Sequence, residues 1–265
     1  MNTRIGISLV VYALWIVVTL LGAKLLLGGQ EVPLDEMVKN GIGWQFLAAI
    51  VLLAGFIVAC KWRDLAFGPP HSVVRVMWFP VLWLSLIAAA MIVIGLPPGS
   101  MIAFIAVNTL MVGISEETMF RGVLFRALLT KYRVWTAILA SSVLFGAVHI
   151  LNVFNTGDLA GALVQSVPAG MSGILFVAIV IRTGSIWPAI IYHALWDCVL
   201  FVMLAGGKAS GVDADPTALD SLGTVQDFLP YILGMPNFIC GLILLRNVRD
   251  ASFRQEEEKR MARSA

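Results

Sequence analysis

The stretch Ile114-Ser115-Glu116-Glu117-Thr118-Met119-Phe120-Arg121 lies inside a long apolar run that extends from about residue 100 to residue 130. Such a run can cross a bilayer as one helix, because about 20 apolar residues suffice. A carboxylate near the middle of a bilayer costs roughly 2.5–3.5 kcal/mol on insertion scales, so carboxylates at such positions usually serve a function. The stretch therefore predicts a membrane-spanning helix whose two adjacent glutamates belong to a functional site.

The rest of the chain has the composition of a membrane protein. Of its 265 residues, 59% are hydrophobic and only 13% are charged, and the mean hydropathy is +0.90. Apolar runs predict spanning helices at about 5–27, 44–62, 74–96, 100–130, 134–151, 159–181, 185–205 and 227–246. The residue alternation expected of a β-barrel is absent. We therefore predict an all-α fold, a bundle of about eight transmembrane helices that forms one domain over residues 1–265.

Lysines and arginines are distributed unequally between the two sides of this bundle. Fifteen of the 18 fall on the side that holds both termini, including the basic and acidic tail 247–265. The opposite side carries Lys24, Lys39 and Lys208 with the acids Glu31, Asp35, Glu36, Asp158, Asp213, Asp215, Asp220 and Asp227. Because cytoplasmic loops are enriched in Lys and Arg, we predict a multi-pass plasma (inner) membrane protein with both termini in the cytoplasm. The tail is expected to lie near anionic membrane lipid, and the net charge of +2 gives no reason to expect a nucleic-acid partner.

Membrane depth can be estimated from the spacing of the ionisable residues. Glu116 and His149 each lie 15 residues from the turn near 131–134, which is ~22 Å of helix at ~1.5 Å per residue. His193 lies ~12 Å from the start of its own helix. If the hairpin around the turn protrudes ~10–15 Å into the cytoplasm, all three residues reach one depth. We therefore expect these residues to share a pocket in the cytoplasmic half of the bilayer.

Helical spacing pairs the polar residues of these spans. Residues four apart on one helix face are Glu117 and Arg121, Phe145 and His149, and His193 and Asp197. The first pair has the favourable orientation for an ion pair, while Glu116 is turned ~100° away to face another neighbour. Each pair taken singly also fits ordinary helix packing, and their shared depth and residue types favour a functional site. Cys198 is a weaker nucleophile candidate, because no base lies at helical spacing from it, and it is more simply a buried apolar residue.

Three motifs follow one another along the chain. They are Glu116-Glu117-x-x-x-Arg121, Phe145-x-x-x-His149 and His193-x-x-x-Asp197. Together they resemble the three ordered motifs of the CAAX protease and bacteriocin-processing (CPBP, or Abi) family, which includes the Ras-converting CAAX endopeptidase. The resemblance covers about residues 100–205. It implies an eight-helix intramembrane bundle with a cytoplasm-facing cavity, and hydrolysis of a peptide bond in a peptide or protein substrate, with or without a lipid modification.

The resemblance also implies roles for individual residues. The catalytic residues would be Glu116, Glu117, His149, His193 and Asp197, supported by Arg121 and Phe145. Glu116 and His149 would activate the attacking water. His193 and Asp197 would stabilise the oxyanion and orient the substrate. The eukaryotic enzymes usually have asparagine at the position of Asp197. Because an ionised aspartate cannot donate to an oxyanion, we expect Asp197 instead to orient His193 by accepting its ring N–H.

Other chemistries fit the same residues. Glu116, His149 and His193 could ligate zinc from three separate helices. The helical H-E-x-x-H arrangement of zinc peptidases is missing, so we predict glutamate chemistry without a metal and without a cofactor. Two non-enzymatic alternatives stay open: a non-catalytic membrane immunity or scaffold protein of the same fold, and a proton-coupled transporter, since intramembrane acids also form proton relays.

Overall fold

The computed structural model of the protein describes residues 3–26, 28–209 and 223–255, and these form helices joined by turns, with no β-strand among them. The helices are α1 (Thr3–Leu26), α2 (Leu34–Lys39), α3 (Trp44–Ala59), α4 (Val73–Ile94), α5 (Gly99–Glu117), α6 (Phe125–Leu129), α7 (Val134–Ile150), α8 (Val153–Thr156), α9 (Leu159–Thr183), α10 (Trp187–Ala209) and α11 (Gly223–Leu245). A π-helical segment, Thr118–Leu124, connects α5 to α6. The predicted all-α class is confirmed.

Six of the described helices are long and apolar enough to cross a membrane, judged by length and composition. They are α1, α4, the continuous helix from α5 through α6, α7 with α8, α9, and α10. Two more apolar helices, α3 and the Leu229–Leu245 part of α11, are shorter. Each predicted apolar run coincides with one of these eight segments. The polytopic architecture is therefore confirmed, and the count of eight spans stays a prediction.

The outer faces of the long helices are apolar. On α4, for example, Val74 is 84% exposed and Val93 is 87% exposed. Apolar surface of this extent would make a soluble protein associate, whereas lipid tails are as apolar as the side chains themselves. The exposed apolar residues therefore fit a surface that faces lipid.

Small residues bring the inner helices close together. α9 packs between α7 and α11, and α5 packs against α10. A Cβ added at Gly146 of α7 would lie 2.6 Å from the carbonyl oxygen of Ser166 on α9. A Cβ added at Gly113 of α5 would lie 2.9 Å from the carbonyl oxygen of Ile190 on α10. Glycine at these two positions lets the backbones approach, as is typical of packed membrane helices.

The helix that carries the two glutamates changes its geometry directly after them. α5 ends at Glu117, and the seven residues Thr118–Leu124 form a π-helix before the α-helix resumes. All seven are buried. Single π-helical turns inside α-helices occur frequently at functional sites, because the wider turn re-aims the side chains next to it.

One end of the bundle, which we call the arginine-rich end, consists of the segments 60–72, 130–133 and 184–186. Arg4 at the start of α1 reaches it, since its guanidinium donates to both carboxylate oxygens of Asp64 at 2.7 and 2.8 Å. The backbone N–H of Ile186 donates to the carbonyl of Ala66 at 2.8 Å. These contacts tie the start of α1, the α3–α4 connection and the α9–α10 turn to the same end of the molecule.

The opposite end, which we call the α2 end, consists of α2 and the segments 95–98 and 151–158. Asn108 of α5 is fully buried there. Its amide nitrogen donates to the carbonyls of Val38 and Gly41 at 2.8 and 2.7 Å, and its side-chain oxygen accepts from the N–H of Gly43 at 2.8 Å. One buried side chain thus holds the chain around α2 against the spanning helices.

Several charges used to predict the orientation lie outside the described residues. They are Asp213, Asp215, Asp220, the side chains of Lys208 and Asp227, and the tail from residue 256 onward. For these positions the charge distribution stays a prediction from sequence.

Candidate active site

Glu117 is the centre of a buried hydrogen-bonded group. Its Oε1 accepts from Arg121 Nη1 at 3.0 Å and from His193 Nδ1 at 2.8 Å. The Glu117 side chain is 0% exposed and that of Arg121 is 1% exposed. The predicted ion pair between Glu117 and Arg121 is therefore present in the structure. The bond to His193 links α5 to α10 and was not predicted, because spacing along one helix carries no information about a partner on another.

Aromatic rings enclose the arginine of this group. The Arg121 guanidinium carbon lies 4.3 Å from the ring centroid of Phe145 and 5.0 Å from that of Phe176, within the range of a cation–π interaction. Phe176 also stacks on the ring of His193, with centroids 4.6 Å apart and planes 19° apart. Phe145, which the motifs predict as a supporting residue, thus contacts Arg121. Phe176 was missed, and the only sequence signal for it is its position three residues after Gly173 on the tightly packed α9.

His193 also faces two further carboxylates. Its Nε2 lies 3.3 Å from Asp197 Oδ2 and 3.8 Å from Glu116 Oε2. The structure thus brings the carboxylates of three predicted site residues, Glu116, Glu117 and Asp197, around the imidazole ring of a fourth, His193. An imidazole with carboxylates at both nitrogens donates on both sides when it is protonated.

His149 is oriented by its own helix. Its Nδ1 lies 2.7 Å from the carbonyl oxygen of Phe145, and because a carbonyl can only accept, Nδ1 must carry the proton. In the neutral ring this leaves Nε2 as an acceptor. Glu116 is its acidic counterpart: its side chain is 15% exposed, and its Oε2 makes no hydrogen bond to any residue that the structure describes.

A cavity of about 360 Å³ adjoins this group. Its wall includes Trp15, Glu116, His149, Ser172, His193 and Asp197, whereas Glu117 and Arg121 lie behind the wall. Trp15 is held in place by a 2.8 Å hydrogen bond from its indole N–H to Ser115 Oγ. One cavity is therefore lined by the predicted base Glu116, the two predicted histidines and the predicted Asp197. The buried ion pair of Glu117 and Arg121 lies behind them.

The direction of the cavity differs from the prediction. The wall continues through Asn152, Asn155 and Gly161 toward the α2 end, whereas a cavity open to the cytoplasm was expected on the side of the arginine-rich loops. The reason lies in α7, which ends at Ile150, one residue after His149. The 15 residues that separate His149 from the 130–133 turn span nearly the whole length of α7. This histidine therefore lies at the end of α7 that is remote from the arginine-rich end.

The described residues contain no group of three or more His, Cys, Asp or Glu side chains arranged to hold a metal ion. The set considered for zinc, Glu116, His149 and His193, does not form one. Both ring nitrogens of His193 already face carboxylates, which is the environment of a hydrogen-bond donor. Cys198 packs beside the apolar cluster of Val38, Ile105, Val202 and Ala205, in agreement with its interpretation as a buried apolar residue.

Residues 98–199 match the family model described as type II CAAX prenyl endopeptidase Rce1-like. This match supports assignment of the chain to the CAAX protease family. The match encloses all seven site residues predicted from the motifs, from Glu116 to Asp197, and agrees with the resemblance expected over about 100–205. No curated protein and no solved structure matches the chain. Together with the six long apolar helices, the match indicates a membrane protein related to a family of proteases.

Proposed function

We propose that this CAAX protease family member is an intramembrane endopeptidase that hydrolyses a peptide bond with a water molecule activated by Glu116 and His149. The observation that carries the proposal is that the Glu116 carboxylate and the acceptor nitrogen of His149 line one cavity beside the buried His193–Glu117–Arg121 group. The cavity provides two proton acceptors and an oriented donor within the span of the helices, as hydrolysis requires.

In this mechanism Glu116 is the general base. It removes a proton from water while the water oxygen adds to the carbonyl carbon of the scissile bond, and the proton passes to the leaving amine as the carbon–nitrogen bond breaks. His149 Nε2 accepts a hydrogen bond from the same water and so orients it. A positioned acid or base of this kind contributes about 10²–10⁴-fold to the rate.

His193 is the proposed donor to the tetrahedral oxyanion. Glu117 accepts a hydrogen bond from its Nδ1 and so fixes that side of the ring. Arg121 in turn holds Glu117, and Phe176 stacks on the His193 ring and fixes its plane. The Nε2–H side faces the cavity, where Asp197 Oδ2 lies at 3.3 Å. This separation is long for a charge-assisted hydrogen bond, so a substrate oxygen can reach the same N–H. Asp197 is then a positioning residue for His193.

We further propose that the chain lies in the plasma (inner) membrane with its arginine-rich end in the cytoplasm, in accordance with the enrichment of Lys and Arg in cytoplasmic loops. The chemistry proposed needs no metal ion. Activity of the purified protein should therefore persist after treatment with a chelator, and a loss of activity that zinc restores would contradict this part of the proposal.

The decisive experiment replaces the base. Glu116→Gln keeps the size of the side chain and removes its basicity, so we expect peptide hydrolysis to fall by at least about 10²-fold while the protein stays folded. The membrane and released peptides of cells that carry the variant are compared with those of the wild type. Glu31→Gln, an exposed position, is the matched control and should leave the peptides unchanged. A wild-type phenotype for Glu116→Gln would favour a non-catalytic scaffold.

A further inference from the structure

Most of the wall of the active-site cavity comes from one half of the bundle. α1 contributes residues from Trp15 to Ala23, which form its second half, and α10 contributes residues from His193 to Phe201. α7 contributes Phe145 and residues after it. Each of these portions is the one nearer the α2 end, so the space beside Glu116 continues in that direction.

The chain is densely packed in the opposite direction. Met119, Phe120 and Phe125 have no exposed surface, and they follow the two glutamates on the way to the 130–133 turn. On α9, the run from Leu175 to Val180 is likewise buried. These apolar side chains separate Glu117 from the arginine-rich end, and no residue of the segments that define that end lines the cavity.

Polar amides line the route between the site and the α2 end. Asn152 Nδ2 donates to Gln165 Oε1 at 2.9 Å, and both side chains line the cavity. Asn155 also lines it; this residue is 4% exposed, and its side-chain oxygen has no hydrogen-bond partner among the described residues. Amide groups offer both donors and acceptors, as the main chain of an extended peptide requires.

The charges at the two ends give the direction of this route relative to the membrane. Described cationic residues at or beside the arginine-rich end are Arg4, Lys61, Arg63, Arg75, Arg126, Lys131, Arg133, Arg182, Arg246, Arg249 and Arg254, whereas those at the α2 end are Lys24 and Lys39. Orientation follows the Lys and Arg of short loops and is nearly independent of acidic residues. The α2 end is therefore the end that faces away from the cytoplasm.

We propose that the active site is served from the extracytoplasmic side of the membrane, and that its substrates are peptide segments presented at that side. The inference deepens the proposed function and rests on it, because a peptide substrate presupposes the proposed endopeptidase activity. The direction of access, by contrast, follows from the position of the cavity and the distribution of charges alone. Cytoplasmic peptides would reach the site only after they had crossed the bilayer.

Cysteine accessibility tests the direction without use of the enzymatic activity. Cys60, Cys198 and Cys240 are first replaced by alanine. Single cysteines are then introduced as Gln165→Cys in the cavity wall and Lys131→Cys at the arginine-rich end, and the probe is a membrane-impermeant sulfonated maleimide. In right-side-out vesicles we expect complete labelling of Gln165→Cys and none of Lys131→Cys, and in inside-out vesicles the reverse. Ala169→Cys, also in the cavity wall, replaces Gln165→Cys if that variant is not inserted.

Two results would overturn the inference. If Lys131→Cys reacts in right-side-out vesicles, the chain has the opposite orientation. If the cavity cysteine reacts only in inside-out vesicles, together with Lys131→Cys, the cavity opens toward the cytoplasm. Either result leaves the hydrolytic role of Glu116 intact, and an inactive wild type with the expected labelling would refute the proposed function while the direction of access stands.

Discussion

At the level of single residues, the site depends on a buried charge pair. Glu117 and Arg121 lie almost entirely out of contact with solvent, and Arg121 is in addition in contact with the faces of Phe145 and Phe176. Only arginine combines a planar cation that stacks on aromatic rings with several fixed N–H donors. The pair therefore sets the position of His193, to which Glu117 is hydrogen-bonded.

Arg121→Ala should be strongly destabilising, because it leaves the carboxylate of Glu117 buried without its cation. Breaking a buried ion pair in this way costs about 3–5 kcal/mol. Thermal unfolding of the purified protein in detergent measures the loss. Arg249→Ala, an exposed arginine, is the control and should change stability by less than about 0.5 kcal/mol. Equal unfolding temperatures for the two variants would show that another group compensates the charge of Glu117 when Arg121 is absent.

The pair between Arg4 and Asp64 predicts a pH dependence at the arginine-rich end. Burial by itself raises the pKa of Asp64, but the hydrogen bonds and charge of Arg4 outweigh burial and lower this pKa below its ordinary value. A lowered pKa contributes stability above the carboxyl pKa of the unfolded chain, about 3.9, and this contribution is lost as the pH falls through the lowered value. The Asp64 side chain is 28% exposed, so we expect about 0.5–1 kcal/mol.

Asp64→Asn is the variant that tests this dependence. Its unfolding temperature should lie below that of the wild type at pH 7, and the two should converge as the pH falls from about 3.9 through the lowered pKa of Asp64, where the wild-type carboxylate becomes protonated. A constant difference across this range would show that Asp64 acts through packing and not through its charge.

At the level of elements, the site is held by the close approach of α7 and α9. Phe145 and His149 lie on α7, and Phe176 lies on α9. Gly146 and Gly170 face each other between these helices. The distance between the two helices therefore sets the distance between the rings that enclose Arg121.

Gly146→Ala should separate the two helices, because its Cβ would lie 2.6 Å from the Ser166 carbonyl oxygen and 3.1 Å from Gly170 Cα. Overpacking of this kind costs about 1–3 kcal/mol. Gly170→Ala is a matched control on the facing helix, since its nearest contact would be an ordinary 3.6 Å. It should be neutral or stabilising by up to about 1 kcal/mol, as alanine is preferred to glycine in helices. Unfolding in detergent compares the two, and an equally stable Gly146→Ala would mean that α7 can shift.

At the level of the whole molecule, the bundle is asymmetric along its axis. The half toward the arginine-rich end is filled by apolar side chains, while the half toward the α2 end contains the cavity. Met37 and Val38 of α2 form part of the cavity wall. The attachment of α2 by Asn108 therefore shapes the wall of the candidate active site.

Asn108→Ala should loosen α2, because it removes three hydrogen bonds from a fully buried position and leaves their backbone partners unpaired. Each unpaired buried group costs about 1–3 kcal/mol. Hydrogen exchange of residues 34–43 should accelerate, while exchange in α9 stays slow. Asn40→Ala serves as the control, because the Asn40 side chain is exposed and, within the described part of the chain, donates only to Glu36 at 2.9 Å. Unchanged exchange in Asn108→Ala would show that α2 is held by its apolar contacts.

Much of the fold and part of the site follow from local properties of the chain. The length and apolarity of each run are sufficient to place the helices, because a spanning segment has to satisfy its own backbone within the bilayer. The pair of Glu117 and Arg121 likewise depends only on the period of one helix. The residue types of the three motifs predict the family and the candidate site. The family match supports the predicted family, and the roles of the site residues stay a prediction.

Contacts between helices could not be predicted in this way. The bond between His193 and Glu117, the stacking of Phe176 and the direction of the cavity depend on how far each helix is rotated and shifted against its neighbours. Packing of small residues such as Gly146 and the π-helical turn after Glu117 set these rotations and shifts. Hydropathy and spacing along one segment determine which residues enter the membrane, and only the packed bundle decides which of them meet and toward which end their shared cavity extends, because rotation and depth are properties of helix pairs.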